Sequence, residues 1–177
     1  MSEDLRLIER AGAYDPVALA EIYDQYYVRI YNYIYHRLGD PSTSEDLTAE
    51  VFLRMLESVK AAKAWHTSLT GWLYRIAHNL VIDHYRRQTK REGPELNERV
   101  IPAADNPVLS LEKLLAQQQL REAVHTLTED QQQVIFLKFV EDLSNAEVAD
   151  ILGKTEGAIK ALQHRALASL RRVMEGA

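Results

Sequence analysis

The chain has 177 residues, no cysteine, 26 acidic against 21 basic side chains and 46% hydrophobic content, enough for one domain or two small ones, each with a modest core. No apolar run approaches the roughly 20 residues of a membrane helix, and the stretch from Met1 to Arg10 is too charged for a signal peptide, so a soluble, cytoplasmic protein without membrane insertion is expected. Lack of cysteine excludes disulfides and thiolate metal sites, and a net charge of −5 argues against a uniformly basic nucleic-acid binder, whose duplex affinity comes from Lys and Arg neutralising phosphates.

Apolar residues recur at three and four rather than alternating, which predicts an all-α fold. A first helix is expected from Pro16 to Leu38, with Leu19, Ile22, Tyr23, Tyr26, Ile30, Tyr33, Ile34 and Leu38 on its stripe and a stop at Gly39-Asp40-Pro41. A second begins near Ser42, where Ser42 and Glu45 have capping-box spacing, and carries Leu47, Val51, Phe52, Met55 and Val59. The third runs from Leu69 to Arg91 with Trp72, Leu73, Ile76, Leu80, Ile82 and Tyr85 as its apolar positions. These three form one helical domain over residues 1–91.

Residues 92–110 hold Pro94, Pro102 and Pro107 with four acids and little periodicity, and are expected to be a flexible linker. At about 3.3 Å per extended residue this segment reaches roughly 60 Å, almost two turns of B-DNA at about 34 Å each. A second helical domain follows over 111–177, with helices near 111–126, 129–141, 145–152 and 156–174 and capping-box spacing at Thr128 to Gln131 and at Ser144 to Glu147.

The acidity is not evenly spread. Residues 1–60 carry 6 basic and 11 acidic groups, 61–91 carry 6 and 1, 92–153 carry 4 and 12, and 154–177 carry 5 and 2. A charge run is usually a solvated helix face, but here each basic segment closes a helical unit. In the last one, Ser144 to Leu152, the Gly153-Lys154 turn and Thr155 to Ala166 have the helix-turn-helix pattern. Ile159, Leu162, Ala166 and Leu170 are expected to face the core, leaving Lys160, Ala161, His164 and Arg165 outward for a major groove.

The other basic segment follows Trp72-Leu-Tyr-Arg-Ile-Ala-His-Asn79 with Asp83, Arg86, Arg87, Lys90 and Arg91. Aromatics interleaved with Arg and Asn suit single-stranded or partly melted DNA, because bases stack on rings while cations hold phosphates; Trp72 itself is expected in the core.

Enzyme signals fail. The Leu152-Gly-Lys-Thr155 run has the end of a phosphate loop, but Val148 stands where its first Gly is needed and no strand precedes it. No two histidines have the spacing of a zinc-protease helix. Neither a cofactor, a metal, a small-molecule substrate nor a catalytic residue is expected.

Together the motifs resemble those of the RNA polymerase sigma factors of the extracytoplasmic-function (ECF, group IV) type. The resemblance runs from about residue 18 to 174 and rests on Glu45-Asp-Leu-Thr-Ala-Glu-Val-Phe52, the Trp72 to Asn79 run with Asp83 and Arg86-Arg87, Leu127 to Gln131, Leu143-Ser144 with Glu147-Val-Ala149, and Gly157 to Lys160 with His164-Arg-Ala166. It implies a sigma region 2 bundle at the N-terminus and a region 4 helix-turn-helix at the C-terminus, in a factor that gives core RNA polymerase its promoter choice. Glu45, Asp46, Glu50, Val51 and Phe52 would dock the polymerase, and Asp46→Ala with Phe52→Ala is expected to weaken docking while leaving the fold intact. Lys63, Arg75, His78, Asn79, Asp83, Arg86 and Arg87 would recognise and open the −10 element. Thr155, Lys160, Ala161, His164, Arg165 and Arg171 would read the −35 element, with Thr155 and Arg171 as phosphate partners. A sequestering anti-sigma factor is the implied regulator. The rival from another class is an autonomous helix-turn-helix regulator, which has no need for the Glu45 to Phe52 motif joined to the Trp72 helix.

Overall fold

The computed structural model describes residues 3–60, 68–92 and 111–176, all of it helices and short turns. Residues 61–67, including Lys63, and the expected linker beyond Glu92 lie outside the described residues. The chain divides into two compact units, Met1–Val100 and Ile101–Ala177.

The first unit has four helices, α1 (Glu3–Gly12), α2 (Pro16–Leu38), α3 (Pro41–Lys60) and α4 (Leu69–Glu92). Helix α1 is absent from the expectation. Its ten residues are short and rich in charge, yet Leu7, Ile8 and Ala11 are buried and the helix packs on α2 and α3. Between α1 and α2 the backbone turns at Tyr14 (φ 57°), and Asp15 caps α2 by accepting from the Val17 N–H (3.0 Å) with Pro16 at the first helical position. The Arg10 guanidinium, 2.7 Å away, holds the Asp15 carboxyl below its usual range.

Ala18, Ile22, Tyr26, Ile30, Tyr33, Ile34 and Arg37 form the buried face of α2. Tyr23 does not belong to it. It stands about 100° around the helix from Ile22 and is 46% exposed. Gly39, at φ 72°, closes α2 in the left-handed conformation that costs an L side chain most. Helix α3 then begins two residues earlier than the Ser42 box predicts. Pro41 presets φ for the first turn, and Asp40 accepts from both the N–H and the hydroxyl of Thr43, so the cap falls on Asp40. The Thr43 bonds hold the Asp40 carboxyl below its usual range. Deeper in α3, Ser44 and Thr48 are buried because their hydroxyls bond back to the Asp40 and Ser44 carbonyls, each 2.6 Å.

Helix α4 starts with Ser68, whose hydroxyl oxygen accepts from the Gly71 N–H. Its buried face is Leu69, Leu73, Tyr74, Ala77, Leu80 and Val81, whereas Trp72, Ile76, Ile82 and Tyr85 are only half-buried. Contacts climb the two helices in step: Tyr26 with Thr70 (hydroxyls 2.7 Å apart), Tyr33 edge-on to Tyr74, and the Tyr85 hydroxyl donating to the Arg37 carbonyl. Helices α2 and α4 therefore run parallel, and α3 packs on both.

The second unit has α5 (Leu111–His125), α6 (Glu129–Ile135), a π-helical turn (Phe136–Val140), α7 (Asn145–Leu152) and α8 (Glu156–Glu175), with α8 packed on α5, α6 and α7. Both expected capping boxes form, Thr128 with Gln131 and Ser144 with Glu147. The π turn was expected as continuous α-helix. Its wider ring buries Leu137 and leaves Phe139 and Val140 exposed before Asp142 turns the chain at φ 54°. Gly153 (φ 65°) ends α7, and Thr155 caps α8 by accepting from the Ala158 N–H at 3.1 Å. Ser144→Ala removes one arm of its box at a cost of about 1 kcal/mol, so amide exchange in the first turn of α7 should accelerate roughly fivefold, as read by hydrogen–deuterium exchange.

Candidate nucleic-acid interfaces

On α3 the Glu45 to Phe52 motif splits by burial. Glu45 and Asp46 are exposed. Glu50 is half-buried and pairs with Arg54 one turn on, 3.3 Å away. Val51 is fully buried and Phe52 only 7% exposed, so both support the ridge from beneath instead of presenting it. Of the five residues expected to dock the polymerase, Glu45, Asp46 and Glu50 are the ones whose side chains reach the surface.

Phe52 is seated against a tyrosine ladder on α2 that the expected motifs leave out. Tyr23, Tyr27, Tyr31 and Tyr35 recur every four residues on α2, and their rings lie 5.0, 6.3 and 5.9 Å apart in succession, with Phe52 5.1 Å from Tyr23 and 6.5 Å from Tyr27. The signal was legible as a four-residue tyrosine period beside the core stripe. Desolvation within the ladder, then the Glu45 carboxylate, pushes the Tyr31 phenol up, and Tyr27 is raised by desolvation, Tyr23 and Glu45.

Along α4, Arg75, Asn79, Asp83, Arg86 and Lys90 recur at three and four residues and share one face. Arg75, Asn79, Arg86 and Arg87 are exposed, and Asp83 and His78 are half-buried. His78 is held from below: its Nδ1 lies 2.8 Å from the Arg37 guanidinium and 3.4 Å from the Tyr33 hydroxyl. Lys63 lies outside the described residues.

In the second unit, Ile159 and Ala166 of α8 are buried, while Leu162 and Leu170 are half-buried at the edge of the core. Lys160, His164, Arg165 and Arg171 are exposed on the other side of α8, and Ala161 is half-buried between them. Thr155 accepts the capping bond with its hydroxyl oxygen, and its O–H remains to donate elsewhere. Lys154, in the turn, pairs with Asp130 at 3.3 Å. A turn closed by a left-handed glycine, a capped second helix and a basic outer face make this unit a helix-turn-helix of the DNA-binding kind. Among the described residues no cluster of His, Asp or Glu has the arrangement of a metal site, and no helix is long and apolar enough to cross a membrane.

Comparison with known proteins agrees with that class. Sigma-70 region 2 matches residues 22–91 and Sigma-70 region 4 matches 117–170. The chain is 38% identical over 174 residues to the ECF RNA polymerase sigma factor BldN of Streptomyces coelicolor, covering 96% of this chain and 65% of that protein. It is 31% identical over 160 residues to the RNA polymerase sigma factor YlaC of Bacillus subtilis, covering 89% and 92%. A solved complex of the sigma factor RpoE with the anti-sigma factor NepR from Bartonella quintana has the same fold, with a TM-score of 0.68, 19% identity and coverage of 88% of this chain and 96% of that one. The chain belongs to the ECF sigma factors of RNA polymerase, and as such it is a promoter-directing factor of transcription initiation.

Burial changes one expected outcome. Phe52→Ala empties a ring-lined site and should cost about 3–5 kcal/mol of unit stability, so it is not the fold-neutral docking probe expected from sequence. Urea denaturation followed by Trp72 fluorescence should show the loss, and an unchanged midpoint would contradict this packing.

Proposed function

We propose that the chain binds core RNA polymerase through the exposed acidic edge of α3 and delivers two separate DNA-reading surfaces to a promoter. Residues 1–91 act as region 2, 92–110 as the linker and 111–177 as region 4. Glu45, Asp46 and Glu50 dock the polymerase, with Val51 and Phe52 shaping the ridge from inside. Lys63, Arg75, His78, Asn79, Asp83, Arg86 and Arg87 engage the −10 element, and Thr155, Lys160, Ala161, His164, Arg165 and Arg171 the −35 element. The observation that carries this reading is the basic outer face of α8 behind a capped glycine turn, in the same chain as a second basic face on α4.

The chemistry fits without catalysis. Opening a duplex without nucleotide hydrolysis needs replacement partners for unstacked bases, and rings and polar groups supply on the order of 1–3 kcal/mol per captured base. Joining two weak footprints by a tether raises the effective concentration of each for the other. The net charge of −5 keeps the free protein a poor DNA binder, so promoter binding depends on polymerase. The factor acts in the cytoplasm, has no catalytic activity of its own, and is held inactive by an anti-sigma factor that covers these surfaces, as RpoE is caught with NepR.

Glu45→Ala with Asp46→Ala should weaken holoenzyme formation at least several-fold without altering the melting curve, as read by pull-down with core enzyme. Lys160→Ala and Arg165→Ala should each cost about 1–3 kcal/mol of promoter selection. Run-off transcription with core enzyme that is insensitive to both would remove α8 from −35 recognition.

A further inference from the structure

At the C-terminal end of α2, Arg37 is only 4% exposed, an unusual place for a cation. Its guanidinium lies 5.7 Å from the Tyr33 ring centre, donates to the Tyr33 hydroxyl at 3.3 Å and approaches His78 Nδ1 at 2.8 Å. The backbone around it is fixed as well, because its carbonyl accepts from Tyr85 on α4. A guanidinium has five donors and no acceptor, so at that distance the imidazole nitrogen must offer its lone pair. Nδ1 is therefore bare and the proton of the neutral ring sits on Nε2.

We propose that Arg37 is a positioning residue for the α4 surface: its buried guanidinium fixes His78 as the neutral Nε2–H tautomer and sets the plane of its ring. The consequence is one of polarity. Held this way, His78 meets DNA as a neutral hydrogen-bond donor, suited to an acceptor on a base edge. It is not a cation drawn to any phosphate. Arg75, Arg86, Arg87, Lys90 and Arg91 carry the positive charge of α4, and His78 adds a directional contact among them. Residue 37 touches no DNA in this scheme. It acts across the bundle, from α2 to α4, with Tyr33 beside it. The last step deepens the proposed −10 contact of His78 and rests on it; the tautomer does not.

The test uses the full-length protein labelled with ¹⁵N. A multiple-bond ¹H–¹⁵N spectrum near neutral pH, with His78 assigned by its loss in H78Q, should show a bare Nδ1 and a protonated Nε2 for this ring. A tautomer mixture, or a doubly protonated ring, in the unmodified protein overturns the proposal. R37M should release the ring into a mixture, whereas R37K, which keeps a donor at that place, should hold the original signature. The wild-type spectrum decides the matter even if R37M fails to fold. With core enzyme and a fork-junction promoter DNA, H78A should lower open-complex formation by roughly three- to tenfold, the size of one lost hydrogen bond, and R37M should add little to H78A. An intact tautomer signature with unimpaired opening in H78A overturns the donor role and removes His78 from the −10 contact, while a mixed wild-type spectrum overturns the positioning by Arg37 whatever the DNA result.

Discussion

The packing of α2 against α4 is the constraint on which the first unit depends. One face of a single helix is buried from Ala18 to Arg37, and it meets α4 at successive levels, from Thr70 near the start to Tyr85, which bonds the Arg37 carbonyl, near the end. Because the two helices run parallel, the register between them also decides which α4 side chains are turned away from the core. The row from Arg75 to Lys90 is outward because Leu73, Tyr74, Ala77, Leu80 and Val81 are inward. A slip of one turn would carry His78 off Arg37 and disturb every level at once. An exposed basic face of this kind is thus a by-product of core packing, with its precision inherited from buried tyrosines and a buried arginine.

The same helix also has a second life on its other side. Tyr23 and Tyr27 of its tyrosine ladder pack on Phe52 and so couple α2 to the helix that bears Glu45 and Asp46. Beside these rings, Glu45 and Asp46 stand exposed on α3 between the buried Ser44 and Thr48, so charged and buried positions share single turns of that helix. In the second unit the division is sharper still. Ile159 and Ala166 anchor α8 with no exposed area, while the basic groups on the opposite side have little structural work. Substitutions there should have small effect on folding.

Most of the architecture was readable from sequence where several signals agreed. Apart from the helix expected over 129–141, whose α-helical part stops at Ile135, the helices of the second unit fell within a residue or two of their expected ends, and Thr128, Ser144, Gly153 and Thr155 each mark a boundary by a specific hydrogen bond or backbone angle. Where signals competed, the result differed. Asp40 outcompeted Ser42 as the cap of α3 because Pro41 had already set the first turn. Tyr74 and Val81, not Trp72 and Ile82, filled the core of α4, since several faces of that helix carry apolar residues and only the position of α2 chooses among them. The π turn left no mark in composition. Among the candidate site residues, the apolar stripe of α3 already carried Val51 and Phe52, but nothing in the sequence told that Phe52 lies against Tyr23 and Tyr27 or that His78 leans on a buried arginine 41 positions earlier. Those facts depend on packing between helices and are invisible to periodicity within one.

The crowding of aromatic rings into the first unit has an optical consequence. All nine tyrosines and both tryptophans occur at or before position 85, so the second unit contributes no indole or phenol to absorbance or emission. Intrinsic fluorescence and tyrosine circular dichroism therefore witness only one half of the molecule. The helix-turn-helix can loosen, bind or unfold in silence, and a single smooth aromatic transition is the melting of its neighbour.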